Sequence, residues 1–204
     1  TPQYSAQTSI FTAFPPANLA QKGSIDKSGN LLLDNNLLII LGQNNILYGY
    51  DTSDSSKPTE IWQLKLADNS YLDTARYMDG KLYLITKTYL DHSNLCPVKP
   101  LADNSITIAC TDIYHPKSPV PVDTTYTVLV VDPKTGKTQN TLAFVGSSGQ
   151  SVVYMSANAL YVAYSYMGDM VAFIYTFFSE NGKGMVSDTT LARIQKLKAY
   201  DISD

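Results

Sequence analysis

Residues 30–66 have the sequence NLLLDNNLLIILGQNNILYGYDTSDSSKPTEIWQLKL, in which four short apolar runs alternate with turn residues. The run from Leu37 to Leu41 is continuously apolar, as expected of a strand that is buried on both faces. Residues 60–66 alternate instead, with Trp62, Leu64 and Leu66 on one side, as expected of an outer strand with one buried face. Asp, Asn and Gly residues at the breaks favour tight turns. The stretch therefore predicts four antiparallel strands, over residues 30–33, 37–41, 46–50 and 60–66.

Parts of this stretch recur later in the chain, always in the same order. The matches are Lys81–Leu84 and Ala159–Val162 for the second run, Val128–Asp132 and Leu197–Asp201 for the third, and residues 138–145 for the fourth. Leu37 and Leu82, at equivalent positions, are 45 residues apart, close to the roughly 40–50 residues of one propeller blade. The repeat predicts an all-β protein built from four-stranded antiparallel β-propeller blades, with a β-sandwich as the main alternative.

The spacing of the repeats also predicts where the domain is interrupted. We expect an N-terminal arm or linker over residues 1–29 and a partial propeller over 30–204, with blades at about 30–67, 70–146 and 150–204. Leu82 and Leu160 are 78 residues apart, which predicts an insertion at about 88–123, and a second is predicted at about 167–188. Because two and a half to three blades do not close a ring, we expect an incomplete propeller. The chain is then a piece of a longer protein, a unit that other copies complete, or an open stack, and its end at Asp204 favours the first.

The composition narrows the classes of function. Hydrophobic residues make up 44% of the chain, enough for a core, and charged residues only 16%, against about 25% in an ordinary soluble domain. A net charge of −3 and a pI of about 5.3 argue against nucleic-acid binding. No apolar run approaches the roughly 20 residues of a membrane-spanning helix, the nearest being Met170–Phe178. We therefore expect neither a nucleic-acid partner nor a membrane span.

Several segments carry a resemblance to a known family. They are residues 51–58 with Trp62, residues 70–76 and 79–86, Tyr114-His115-Pro116, residues 126–132, and residues 154–162. Together they resemble the secreted β-propeller domain family of archaea and bacteria, which is distantly related to WD-repeat propellers. The resemblance covers roughly residues 31–204 and implies an extracellular or envelope location. It supplies no catalytic residues and no cofactor, because its motifs form blades.

The two cysteines, Cys96 and Cys110, both lie in the first predicted insertion. A disulfide between them would close a loop of about 15 residues and stabilise the fold by roughly 3 kcal/mol, as suits an exported protein. Zinc is the sharper alternative, because His92, Cys96, Cys110 and His115 supply four ligands within one segment. The spacing lacks a close Cys pair, so we favour the disulfide and predict no metal site; two free thiols are the third possibility.

Other candidate sites have simpler interpretations. Aspartates recur at turns and suit either calcium or turn hydrogen bonds, and we favour the turns; they are Asp51, Asp54, Asp68, Asp73, Asp132, Asp201 and Asp204. A tyrosine-rich run suits either carbohydrate stacking or sheet packing, and we favour packing; it comprises Tyr154, Tyr161, Tyr164, Tyr166 and Tyr175. The tripeptide Asp91-His92-Ser93 cannot form a catalytic triad alone, so we predict no catalytic residue.

The sequence favours a non-enzymatic, exported propeller module for cell-surface binding or architecture. Its partner is expected to be an unknown protein or glycan at the cell surface, with the remaining blades of a longer chain or other copies of this chain as alternatives. The competing function is part of a propeller enzyme, a hydrolase or quinone-type oxidoreductase, whose active site needs further blades. The third possible function is that of a surface-layer component that is stable to heat or acid. In each case the insertions are the first places to seek a functional surface.

Overall fold

The computed structural model describes residues 6–91, 95–117, 120, 122–149, 151–156, 159–165 and 169–198. Thirteen strands and two α-helices are formed by these residues. The strands are β1 (Thr8–Thr12), β2 (Ala20–Ile25), β3 (Gly29–Asp34), β4 (Leu37–Gly42), β5 (Ile46–Asp51), β6 (Thr59–Lys65), β7 (Ser70–Met78), β8 (Lys81–Tyr89), β9 (Ile113–Tyr114), β10 (Thr124–Val131), β11 (Thr138–Gly146), β12 (Ser151–Met155) and β13 (Leu160–Tyr164). The helices are α1 (Met170–Thr176), which continues into a π-helical turn (Phe177–Asn181), and α2 (Asp188–Lys198).

The first sheet is a meander of β3, β4, β5 and β6, with each strand antiparallel to the next. Every strand bound lies within one residue of the sequence prediction. The predicted burial pattern is also confirmed: Leu38, Ile39 and Ile40 are buried on β4, and β6 alternates between exposed and buried side chains. Asn35, which has a φ of 52°, makes the tight turn between β3 and β4, a conformation that asparagine adopts more readily than most residues.

The second sheet has the strand order β7, β8, β10, β11 and β9. The first four strands are antiparallel neighbours, and the two-residue β9 pairs with β11 in parallel. β8 and β10 pair from Leu82 and Val131 at one end to Tyr89 and Thr124 at the other. The chain therefore leaves β8 and enters β10 at the same end of the sheet, and the predicted first insertion falls between these two points.

The two sheets pack face to face over one apolar core. Side chains from both sheets contribute to it, among them Ile39, Leu47, Trp62, Leu64, Leu82, Leu84, Leu129 and Val131. Trp62 extends across the interface, and its indole Nε1 donates a buried hydrogen bond of 2.7 Å to the carbonyl of Pro133 in the β10–β11 turn. Buried tryptophan usually finds such a partner for its N–H, and this one fixes the outer strand of the first sheet against the second.

The opposite face of the first sheet is covered by a hairpin of β1 and β2. Ile25 on β2 packs with Leu38, Ile40, Tyr48 and Tyr50, and Ile10 on β1 lies partly buried against the same cluster. The segment predicted as an arm over residues 1–29 thus includes a β-hairpin that docks on the sheet. Both faces of β4 are buried for this reason, as its continuously apolar sequence predicts.

The last third of the chain differs most from the prediction. β12 and β13 form a two-stranded sheet, and one of its faces packs through Val153, Leu160 and Val162 against the second sheet. A strand was predicted over Leu197–Asp201. That prediction is wrong where the structure describes the segment, because α2 continues through Leu197 and Lys198; residues 199–204 lie outside the described part. The open antiparallel sheets nevertheless agree with the predicted incomplete propeller, and none of the described helices is long and apolar enough to cross a membrane.

Candidate functional site

A disulfide between Cys96 and Cys110, with Cα atoms 5.6 Å apart, closes the base of a loop within the first insertion. Inside the loop, Val98 and Ile108 face each other and exchange two backbone hydrogen bonds of 2.9 Å. Both side chains are buried with Ala143 of β11. The loop is therefore anchored to the second sheet by its own apolar side chains as well as by the covalent bond.

The same loop also reaches the end of the first sheet. Leu101 is 4% exposed and belongs to the core between the two sheets. Backbone hydrogen bonds run from Ala67 N to Pro100 O (2.9 Å) and from Ala102 N to Lys65 O (3.0 Å). The insertion thus bridges both sheets at the end where β6 leads into β7.

A cleft of about 370 Å³ lies between this loop and the end of the second sheet, within the range of small-molecule sites. Three parts of the chain line it: the β6–β7 connection, the facing ends of β8 and β10, and the disulfide loop. The lining residues are Ala67, Asn69, Thr88, Tyr89, Leu90, Asp91, Leu95, Pro97, Val98, Lys99, Asn104 and Thr125. We call this space the loop cleft.

The chemistry of the loop cleft is polar without a concentration of charge. On the sheet face, Ser70 and Thr88 share a buried hydrogen bond of 2.7 Å between their hydroxyls. Thr125 pairs with Thr88 across the sheet, and its buried hydroxyl has no hydrogen-bond partner among the described residues. The amides of Asn69 and Asn104 add donors and acceptors. Such a set can bind a ligand rich in hydroxyl or amide groups.

The residues of the alternative zinc site are not brought together as a ligand set in the described part of the structure. The two cysteines are joined to each other, so neither offers a thiolate. His115 is exposed, and its Nδ1 lies 2.9 Å from the carbonyl oxygen of Pro116; His92 and Ser93 lie outside the described residues. Within the described ranges, no group of three or more His, Cys, Asp or Glu side chains could hold a metal ion.

The predicted turn role of the aspartates is seen at Asp51, Asp54 and Asp132, but it is wrong for Asp73, which lies within β7. The carboxylate of Asp51 accepts a hydrogen bond from the backbone N–H of Ser53, and Asp54 accepts from both the N–H and the hydroxyl of Ser56. These hydrogen bonds lower the pKa of both aspartates below the ordinary value of 3.8. Asp132 accepts from the N–H of Lys134 in the same way. Asp73 pairs with Lys87 at 2.7 Å, and Asp68 lies 3.7 Å from Lys65.

The tyrosine-rich run is divided between two surfaces. Tyr154 and Tyr161 face each other across β12 and β13 with ring centroids 6.2 Å apart, and both are exposed. Tyr175 lies on α1, where Lys198 Nζ is 5.5 Å from its ring centroid. The side chain of Tyr164 and the whole of Tyr166 are outside the description. The described tyrosines therefore do not form one stacking surface.

A second cavity, of about 420 Å³, lies at the opposite end of the two sheets. Asp34 and Tyr77 line it, and the phenol of Tyr77 donates a 2.5 Å hydrogen bond to Asp34 Oδ2. That hydrogen bond, together with burial, raises the pKa of Tyr77 to about 12. The phenol and the carboxylate are thus each other's hydrogen-bond partners. We interpret the pair as a contact between β3 of the first sheet and β7 of the second.

The sequence did not identify Asn69, Lys99, Asn104 or Thr125 as site residues. They come together only because the disulfide loop folds back over the sheet. One local signal exists: Asn104 has a φ of 56°, and it follows Asp103, whose carboxylate accepts from Ser105 N–H at 3.0 Å. The tripeptide Asp-Asn-Ser indicates a turn, but nothing in the sequence indicates that this turn lines a cleft.

Comparison with known proteins bears on the fold and on the length of the protein. The family model described as "Beta propeller domain" matches residues 4–202. An uncharacterised protein of Archaeoglobus fulgidus is 48% identical over 202 residues, which is 98% of this chain and 32% of that protein. An uncharacterised protein of Methanocaldococcus jannaschii is 33% identical over 176 residues, 84% of this chain and 27% of that protein. The chain thus spans about a third of the length of these relatives or less.

Proposed function

Because the chain belongs to the β-propeller domain family, we propose that it is a non-enzymatic, exported module that binds a glycan at the cell surface. The observation that carries the proposal is the loop cleft, a polar cavity built where a disulfide loop meets the sheets. A propeller is a scaffold that serves many functions, so the function must be argued from a site. Loops held on a rigid scaffold are where binding residues are most often found.

The disulfide supports export. Cys110 is exposed and Cys96 half-buried, so reductants of a reducing compartment have access to the bond. Disulfides persist mainly in proteins outside the cytosol. The bond also has a clear task there, since it holds the loop that forms one wall of the cleft.

The lining of the loop cleft supports a neutral, hydroxyl-rich ligand. The described lining includes one lysine and one aspartate, two amides and two threonines. Amides and hydroxyls can each donate and accept, as a sugar hydroxyl does. Thr125 contributes a buried hydroxyl that has no partner in the described part of the chain, which a ligand or a bound water can satisfy. We therefore favour a glycan over a charged ligand.

The test compares two glycine substitutions by saturation-transfer NMR and calorimetry. Asn104→Gly removes a cleft amide, and glycine accepts the positive φ at this position. Asn35→Gly is the matched control, because Asn35 also has a positive φ but lies in a turn outside the loop cleft. The probes are soluble oligomers of mannose and of N-acetylglucosamine.

We expect the unmodified chain and Asn35→Gly to bind one of these probes equally, and Asn104→Gly to bind it about tenfold more weakly, as expected from loss of a hydrogen bond of about 1.4 kcal/mol. Failure of the unmodified chain to bind any probe, or equal binding by all three proteins, would refute a glycan site in the loop cleft. Deleting the whole loop is a poor test, because buried Leu101 would go with it.

A further inference from the structure

The helical segment of residues 169–198 leaves its apolar side chains largely uncovered. α1, the π-helical turn and α2 contain no buried residue. A short helix that is apolar almost all round is normally buried by the rest of its protein. Here none of its side chains belongs to the described core clusters.

α1 has two apolar faces, and among the described elements only one of them has a clear partner. The half-buried side chains lie mainly on one side of the helix, as expected for the face that packs on α2; they are Val171, Ala172, Ile174 and Tyr175, continued by Phe178. On the other side, Met170, Phe173 and Phe177 are exposed. Their i, i+3, i+7 spacing places them within an arc of roughly 60°. We call these three residues the Phe stripe; Phe173 is 66% exposed.

Four basic residues belong to the same helical segment as the Phe stripe. Lys183 lies in the turn after the π-helical segment, and Arg193, Lys196 and Lys198 lie on the exposed surface of α2. Residues 169–198 contain these four basic and only three acidic residues, whereas the whole chain has a net charge of −3. The helical segment is thus positive on a negative protein, so an anionic surface attracts this end of the molecule first.

We propose that the helical segment is a membrane-surface element, whose Phe stripe enters the interface of a bilayer that contains anionic lipid. An interfacial helix of this kind presents Phe and other apolar side chains on one face and Lys and Arg on the other. The stripe itself has no hydrogen-bonding side chain, whereas a protein interface has about one hydrogen bond per 100–200 Å². Lys198 is an example of such a cation, because its Nζ lies 5.5 Å from the centroid of the Tyr175 ring, on the side of α1 opposite the Phe stripe.

This association does not depend on the loop cleft and can be tested without its ligand. The probes are vesicles of phosphatidylcholine alone and vesicles with about 30% phosphatidylglycerol, and binding of the 204-residue chain is measured by co-flotation. Phe173→Ser/Phe177→Ser removes the apolar contact. Val152→Ser/Tyr154→Ser is the matched control, because these side chains are 67% and 65% exposed on β12, outside the helical segment.

We expect binding to the anionic vesicles to fall at least tenfold in Phe173→Ser/Phe177→Ser, because two apolar side chains no longer enter the bilayer interface, and to stay unchanged in the β12 control. Lys196→Gln/Lys198→Gln should weaken binding to anionic vesicles and leave binding to neutral ones as it was. Phe173→Trp reports the contact directly, since its emission should shift to the blue with vesicles.

Three results would overturn the proposal. The unmodified chain could fail to bind either kind of vesicle. The β12 control could lose as much binding as the stripe variant. Sedimentation velocity could instead show a dimer that only the stripe variant loses, which would assign the stripe to a second copy of this chain. Circular dichroism of each variant confirms that its fold is intact before binding is compared.

Discussion

Replacing Trp62 by Phe should loosen the contact between the first two sheets. The indole is 8% exposed, lies in their shared core, and donates its N–H to the buried carbonyl of Pro133. Phe keeps an aromatic ring in the core and removes only the donor and part of the volume. The substitution therefore isolates the hydrogen bond better than a change to Ala would.

The expected loss of unfolding free energy has two contributions. Pro133 is buried, so its carbonyl would lose a partner that water cannot readily replace, at a cost of about 1–3 kcal/mol. The smaller ring leaves a void that adds about 1 kcal/mol. The free energy of unfolding should fall by about 2–4 kcal/mol, a large part of the roughly 5–15 kcal/mol that stabilises a typical domain.

Urea unfolding followed by far-UV circular dichroism measures this loss. Fluorescence cannot be used for the comparison, because Trp62 is the single tryptophan of the chain. Ile61→Ala is the control, since Ile61 is next in sequence but 43% exposed on the other face of β6, and its loss should stay below about 1 kcal/mol. If Trp62→Phe costs no more than Ile61→Ala, the inter-sheet role assigned to Trp62 is wrong.

Gly49 provides a second check on the same contact. A Cβ added at Gly49 would overlap the Cε2 and Nε1 atoms of Trp62. Gly49→Ala should therefore destabilise the unmodified chain, and destabilise Trp62→Phe by at least 0.5 kcal/mol less, the lower end of coupling between residues in contact. Strictly additive losses would show that the indole does not occupy the space above Gly49.

Two further predictions concern the disulfide and acid. Replacing Cys96 and Cys110 by Ser should lower the free energy of unfolding by roughly 3 kcal/mol; mass spectrometry of the folded, unreduced chain tests the bond, and two alkylatable thiols would contradict it. Turn hydrogen bonds lower the pKa of Asp51, Asp54 and Asp103 below 3.8. At Asp123 burial raises the pKa, but hydrogen bonds from Ser148 contribute to a net lowering. Because their folded pKa is lower than the unfolded one, their stabilisation is present above 3.8 and lost as the pH falls through the lower folded values. Urea midpoints should therefore drop as the pH falls below about 4, less steeply in Asp54→Asn, and a flat profile would be inconsistent with these assignments.

The strands of the first sheet, and parts of β8, β10 and β11 in the second, could be predicted because their signals are local. The apolar run of β4 and the alternation that buries Trp62 on β6 follow from the side-chain period of a strand. Turn residues such as Asn35 mark where each strand ends. The hairpin of β1 and β2 has a weaker sequence signal, because Ile10 and Ile25 find apolar contacts only when they pack against the first sheet.

The wrong strand at Leu197 shows how a repeat can override better local evidence. Ser187 accepts a hydrogen bond from the N–H of Thr190 and so caps α2, with Asp188 in the first turn and Lys196 and Lys198 in the last. A capping serine, an early acidic residue and late basic residues are all helix signals. The likeness of Leu197–Asp201 to Ile46–Asp51 favours a strand, but five residues of similar polarity can belong to either structure.

The candidate site was less predictable than the fold, because it depends on contacts between distant residues. Asn69, Lys99 and Asn104 line one cleft only after Leu101 has entered the core and the disulfide has closed its loop. The sequence could locate the insertion and its cysteines, but not the direction in which the loop folds.

The disulfide loop and the helical segment, which overlap the two predicted insertions, have opposite relations to the core. The disulfide loop contributes Leu101, Val98 and Ile108 to buried clusters, so changes there affect stability and binding together. The helical segment contributes no side chain to a described core cluster, so its Phe stripe can be changed without disturbing the sheets. A variant of the Phe stripe is therefore a cleaner probe of function than any deletion in the loop, and only single side chains that line the cleft, such as Asn104, separate binding from folding in the first insertion.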